Sequence, residues 1–130
     1  MFILLAKLNL SATFRYFMSV LLMIDGTDKF FNLVTYWPMY LWDGIPQVLG
    51  IETATFLAII GVVEFAIGAV LWLSIRWGGL LAGFLLFGIA ANLLLAGKFY
   101  NIVLIDIALG ICCWALAQSD LPRPQESHEA

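Results

Sequence analysis

The sequence predicts an all-α protein, a four-helix transmembrane bundle with a long aromatic loop between its first two helices. Three observations carry this. The 130 residues are 63% hydrophobic and 12% charged, with a mean hydropathy of +0.99, whereas soluble chains carry about a quarter charged residues. The apolar residues gather into segments long enough to cross a bilayer, which takes about 20 residues. A backbone inside lipid must satisfy its own hydrogen bonds, so such segments are helices.

The spans are expected at about 12–31, 53–75, 78–96 and 100–118, in a single domain of residues 1–118. The opening MFILLAKLNL lacks a basic region before its apolar residues and is interrupted by Lys7 and Asn9. It is therefore expected to be a retained, short interfacial segment leading into the first span. Residues 32–52 form the one long connection. Tyr36, Trp37, Tyr40 and Trp42 suit the membrane interface, and Pro38, Gly44, Pro46 and Gly50 break any long helix. The loop is expected to cap one mouth of the bundle, either as an aromatic anchor or as a lid over a site. Spans two to four are joined by short links around Arg76-Trp77 and Gly97-Lys98-Phe99, so consecutive helices are antiparallel neighbours. Residues 119–130 are polar, with Pro122 and Pro124, and are expected to be a disordered tail.

A net charge of −3 and six scattered Lys and Arg leave no basic surface for a nucleic acid. Lys7, Arg15, Arg76 and Arg123 fall on one side of the bundle, and Lys29 and Lys98 on the other. The excess of basic residues places both termini in the cytoplasm and the aromatic loop outside. The single histidine, His128, lies in the tail, so no span offers an imidazole to a haem or a pigment. Cys112 and Cys113 are adjacent, unlike the spaced cysteines of redox and metal motifs, and read as small packing residues. No metal-ligand cluster, no nucleophile beside a base and no phosphate-binding loop is present, so no catalytic residue is expected.

Ionisable groups inside the spans are the main functional signal. With a rise of about 1.5 Å per residue, Glu64 lies about 17 Å from the outer start of the second span, close to the midplane. By the same measure Asp25 lies about 20 Å along the first span, Asn92 about 21 Å along the third, and Asp106 about 9 Å below the outer end of the fourth. Asp25 and Lys29 share a helical face. Asp25, Lys29, Glu64, Asn92 and Asp106 are therefore expected to converge in one polar nest in the outer half of the bundle. Two readings stay open: a salt-bridge cluster that fixes helix register, and a proton-handling or ligand site. Arg15, near the cytoplasmic end, is expected to reach lipid phosphates or an anionic ligand. Gly61 and Gly68, and Gly79 and Gly83, give the second and third spans small-residue faces for close helix packing or for another protein.

These residues resemble a known family. Arg15 followed by Asp25-Gly26-Thr27-Asp28-Lys29, then Gly61-Val62-Val63-Glu64-Phe65-Ala66-Ile67-Gly68, then Asp106-Ile107-Ala108-Leu109-Gly110, are similar to the pattern of the DoxX-like family of small four-helix membrane proteins. Arg15, Gly26, Lys29, Glu64, Gly68 and Asp106 occupy the matching positions. The long aromatic loop and the extra acids Asp25 and Asp28 depart from it. The resemblance implies a bacterial cytoplasmic-membrane protein that accompanies redox or sulfur-transfer enzymes, in some members a quinone-reducing complex.

The leading functional expectation is thus an accessory subunit of a quinone-linked membrane oxidoreductase, with Lys29 and Asn92 donating to a quinone and Glu64 or Asp106 relaying protons. A purely structural subunit of a larger respiratory or photosynthetic assembly is the alternative, with other membrane subunits or further copies of the chain as partners. A small transporter has less in its favour, because no span is broken at its middle and no inverted repeat is visible.

Overall fold

The computed structural model describes residues 2–119, with side chains described from Leu10 onward. In chain order it contains α1 (Phe2–Asp28), a 3₁₀ turn (Trp37–Tyr40), α2 (Gly44–Leu49), α3 (Thr53–Leu73), α4 (Ile75–Ala96) and α5 (Tyr100–Gln118). There is no strand among the described residues. The expected tail lies outside them, apart from Ser119 at the end of α5.

Helices α3, α4 and α5 are each long and apolar enough to cross a membrane. Their outward faces carry Val62, Leu73, Phe84, Leu95, Leu104 and Ile111, all exposed. An exterior that stays apolar all round fits lipid rather than water. Helix α1 is longer still, at 27 residues, but carries Arg15, Asp25 and Asp28.

Three boundaries differ from the sequence reading. The opening segment is continuous with α1, because Lys7 and Asn9 change polarity without breaking a helix as Pro would. At its other end α1 stops at Asp28 rather than near 31. The Asp28 carboxylate accepts from the backbone N–H groups of Leu33 (2.8 Å) and Val34 (3.0 Å), and Asn32 turns into the left-handed region at φ 52°. The break between α3 and α4 falls at Ser74, not at Arg76-Trp77. Ser74 is extended (φ −143°), and its hydroxyl accepts from the Trp77 N–H at 3.4 Å, which caps α4. Gly97, at φ 69°, closes α4 with its N–H on the Leu93 and Leu94 carbonyls, a backbone state that costs glycine little.

The long helices associate as two tight pairs, α1 with α3 and α4 with α5, and α3 also packs on α4. Glycines set the first pair. A Cβ on Gly26 would lie 2.5 Å from the Gly61 carbonyl oxygen, and one on Gly61 equally close to that of Gly26, so the two backbones touch there. Further along, Gly68 meets the Ser19 carbonyl, and the buried Ser19 hydroxyl donates to the Gly68 carbonyl at 2.6 Å. In the second pair Gly79 abuts the Cys113 carbonyl, while Gly83 abuts the Trp114 ring, whose indole N–H donates to Leu80 O at 3.2 Å. All four glycines singled out in the sequence therefore serve contacts inside the chain. The Gly79 and Gly83 face is covered by α5 and is not free for another protein.

Both pairs converge at the Ser74 end on a core of Met18 and Leu22 from α1, Leu71 from α3, Ala82 and Leu86 from α4, and Cys113 from α5. Cys113 is thus a packing residue, while its neighbour Cys112 is exposed. Away from that core, α1 and α5 are not closely packed, and the pairs stand apart.

Candidate functional site

The space between the separated pairs is a cavity of about 500 Å³, within the range of small-molecule sites. The core residues Met18 and Leu86 form its floor. Its roof is the segment from Thr35 to Ile45, and its side walls are mostly apolar, with Leu57, Ile60, Leu85, Ile89, Ile102 and Leu109 among them. Its polar groups are few: Asp25 and Lys29 from α1 and its end, Glu64 from α3, Asn92 from α4 and Asp106 from α5. The five residues expected to converge do line one space.

Within that space they have different tasks. Lys29 Nζ donates to Glu64 Oε2 at 2.7 Å, with side chains only 6% and 2% exposed. The ammonium also lies 3.6 Å from the centre of the Trp37 ring, a cation–π contact from the roof. This pairing follows from the Gly26–Gly61 contact: the two helices run antiparallel, Lys29 flanks Gly61 and Glu64 flanks Gly26, and the long Lys29 side chain reaches back to the carboxylate.

Asn92, expected as a ligand donor, is bonded to the roof. Its side-chain oxygen accepts from the Trp42 N–H at 2.8 Å, and its amide nitrogen donates to the Tyr40 carbonyl at 2.7 Å. Both ends of the amide hold the roof, because loop backbone at this depth has no water to satisfy it. Asp28, noted in the sequence only as an extra acid, is the matching staple at the other end. Besides Leu33 and Val34 it accepts from the Trp37 indole N–H at 2.8 Å. Tyr40 stacks on Phe99, 4.7 Å between ring centres, which ties the roof to the α4–α5 turn. The aromatic loop is thus a cap, as expected, fixed to three helices.

Arg15 also has a partner that the sequence did not suggest. Its Nε and Nη2 donate to the carbonyls of Leu71 and Trp72 at 2.8 Å each, so it caps the C-terminal end of α3, where unpaired carbonyls gather negative charge. Lipid phosphate is not needed to explain it.

Asp106 is left over. It is 9% exposed and lines the cavity, and among the described residues no donor reaches its Oδ2. Asp25, half-buried, lines the same space from α1. No three His, Cys, Asp or Glu side chains among the described residues converge as a metal site would require. The site can therefore hold an uncharged molecule with an apolar body and a polar head, beside one neutralised ion pair, the half-buried Asp25 and the buried, unanswered Asp106.

Comparison with protein-family models, with curated proteins and with solved structures finds no match to this chain.

Proposed function

We propose that this chain is a four-helix transmembrane protein of the DoxX-like kind, a small accessory subunit of a quinone-linked oxidoreductase in a bacterial cytoplasmic membrane. In this reading α1 is the fourth span, because it lies along α3 as one member of a tight pair and its Arg15, Ser19 and Asp25 turn to α3 or to the cavity. Arg15 and Arg76 then mark the cytoplasmic, closed end, and the roofed end faces outward.

The single observation that carries the reading is the cavity itself: an apolar chamber of about 500 Å³ with Lys29, Glu64 and Asp106 in its walls. A quinone ring needs flat apolar surroundings, a donor for a carbonyl and groups that exchange protons. Lys29 keeps two ammonium protons beyond the one directed at Glu64. Glu64 and Asp106, two of the three carboxyl groups that line the chamber with Asp25, would accept or return protons.

A structural subunit is the second reading, and the full internal use of Asn92, Asp28 and Arg15 favours it. The chamber and the unanswered Asp106 weigh the other way, since a part that only packs has no use for either. The two readings separate on what travels with the protein. Quinone extracted with the chain from native membranes should be stoichiometric in the wild type and absent in Gly88→Phe, which fills the chamber wall. Partner subunits without quinone, or equal quinone in both proteins, would favour the structural reading.

A further inference from the structure

Among the polar groups in the cavity wall, Lys29 and Glu64 answer each other, Asn92 answers the roof, and Asp25 is only half-buried. Asp106 Oδ2 is answered by none of the described residues, on a side chain nine-tenths buried in an apolar surround. Buried polar atoms are nearly always paired, and an orphan in a cavity marks where a missing partner belongs. A second feature bears on how that partner arrives. Gly88 lines the cavity and is also exposed on the outer face of α4, and nothing lies within 4 Å of where its Cβ would be. The wall therefore carries no side chain at Gly88, on a helix apolar and long enough to cross a membrane.

We propose that the cavity binds a lipid-soluble amphiphile bearing a hydroxyl group that hydrogen-bonds Asp106, and that this molecule enters sideways past Gly88. A hydroxyl both donates and accepts, so it satisfies Asp106 whether the carboxyl is ionised or protonated; a carbonyl satisfies the protonated form alone. A cation is disfavoured by the cost of carrying charge through lipid. A single water at Asp106 would leave the apolar length of the chamber, lined by Leu85, Ile102 and Leu109, unfilled. The inference goes beyond the quinone reading and holds for any membrane-soluble alcohol, phenol or quinol of suitable size.

The test is calorimetric titration of the full chain in lipid nanodiscs with para-octylphenol and with its methyl ether, a pair matched in shape but differing by one donor, with empty nanodiscs as the blank. The phenol should bind at least about tenfold more tightly than the ether, the scale of one hydrogen bond to a charged group. Asp106→Leu should make the two equal, Asp106→Asn should keep the preference through its amide oxygen, and Gly88→Phe should abolish binding of both. Equal affinities in the wild type, a preference that survives Asp106→Leu, or no binding of either compound would overturn the proposal. The last two results would leave co-purified quinone as a separate question. Displacement of the phenol by a short-tailed quinol would assign the hydroxyl to the quinone pool, and displacement by dodecanol alone to an alkyl lipid; each supports the site.

Discussion

Removing the ammonium of Lys29 is the perturbation whose size follows most directly from the geometry. At 2.7 Å, with side chains 6% and 2% exposed, the Lys29–Glu64 pair is shielded from solvent. Its gross Coulomb attraction is about 6 kcal/mol at an effective dielectric constant of about 20. Most of that is offset by the desolvation of both charges, so deleting the whole pair should cost little. Deleting one member is different, because Lys29→Met leaves Glu64 buried without a counterion, at a cost of about 3–5 kcal/mol. The same change removes the cation from the Trp37 ring, a contact worth up to about 2 kcal/mol when desolvated and contained within that total. Glu64→Gln keeps an acceptor for the ammonium and should cost less. Glu64→Leu alone should cost about as much as Lys29→Met by the same argument, and the double variant Lys29→Met with Glu64→Leu should recover most of either loss. Reversible unfolding in mixed micelles, followed by near-ultraviolet circular dichroism, supplies the four free energies. A loss below about 1 kcal/mol for Lys29→Met, or a double variant no better than the single ones, would refute the claim that this is a buried ion pair.

Three further outcomes follow from contacts already described. Gly26→Ala should destabilise by about 1–3 kcal/mol, since its methyl meets the Gly61 backbone, whereas Gly88→Ala has open space and should gain up to about 1 kcal/mol from helix propensity; the same unfolding titration compares them. Asp28→Ala should leave the helices in place but speed amide exchange at Leu33, Val34 and Thr35, read by hydrogen-exchange mass spectrometry, and unchanged protection there would remove its role as a staple. Arg15→Gln should cost about 1–2 kcal/mol and expose the end of α3, and a loss that vanishes on changing the lipid headgroup would show that lipid, not the Leu71 and Trp72 carbonyls, is the partner.

Hydropathy alone made the three apolar helices legible, because span length and backbone satisfaction are properties of each segment by itself. Their boundaries at Thr53, Ala96, Tyr100 and Gln118 match the sequence reading closely. The end of α1 was harder to read, since it depends on the Asp28 side chain folding back onto residues five to seven places later. The list of polar groups around one chamber was also legible, from depth along each span. Their division of labour was not. Asn92 and Asp106 look alike in sequence, each a lone polar residue in an apolar helix. Which one faces loop backbone and which faces empty space depends on how the helix pairs meet. The signal that separates them is the neighbouring glycine: Gly88 lies one turn before Asn92, where a bulky residue would close the chamber wall.

The way the roof is fastened has a consequence for how such a chain can vary. Asp28 grips residues 33–37, and Asn92 grips residues 40–42, so a ten-residue stretch is clamped at both ends above the chamber. The return from Asp43 to Glu52 carries no side-chain staple of this kind, although it contains α2. Length is therefore rationed unevenly along the connection. An insertion between 33 and 42 would pull one clamp loose and change the height of the chamber, while one near Gly50 would be absorbed as slack, so chains with the same chamber are free to differ in length on the return half of this loop and not on the outgoing half.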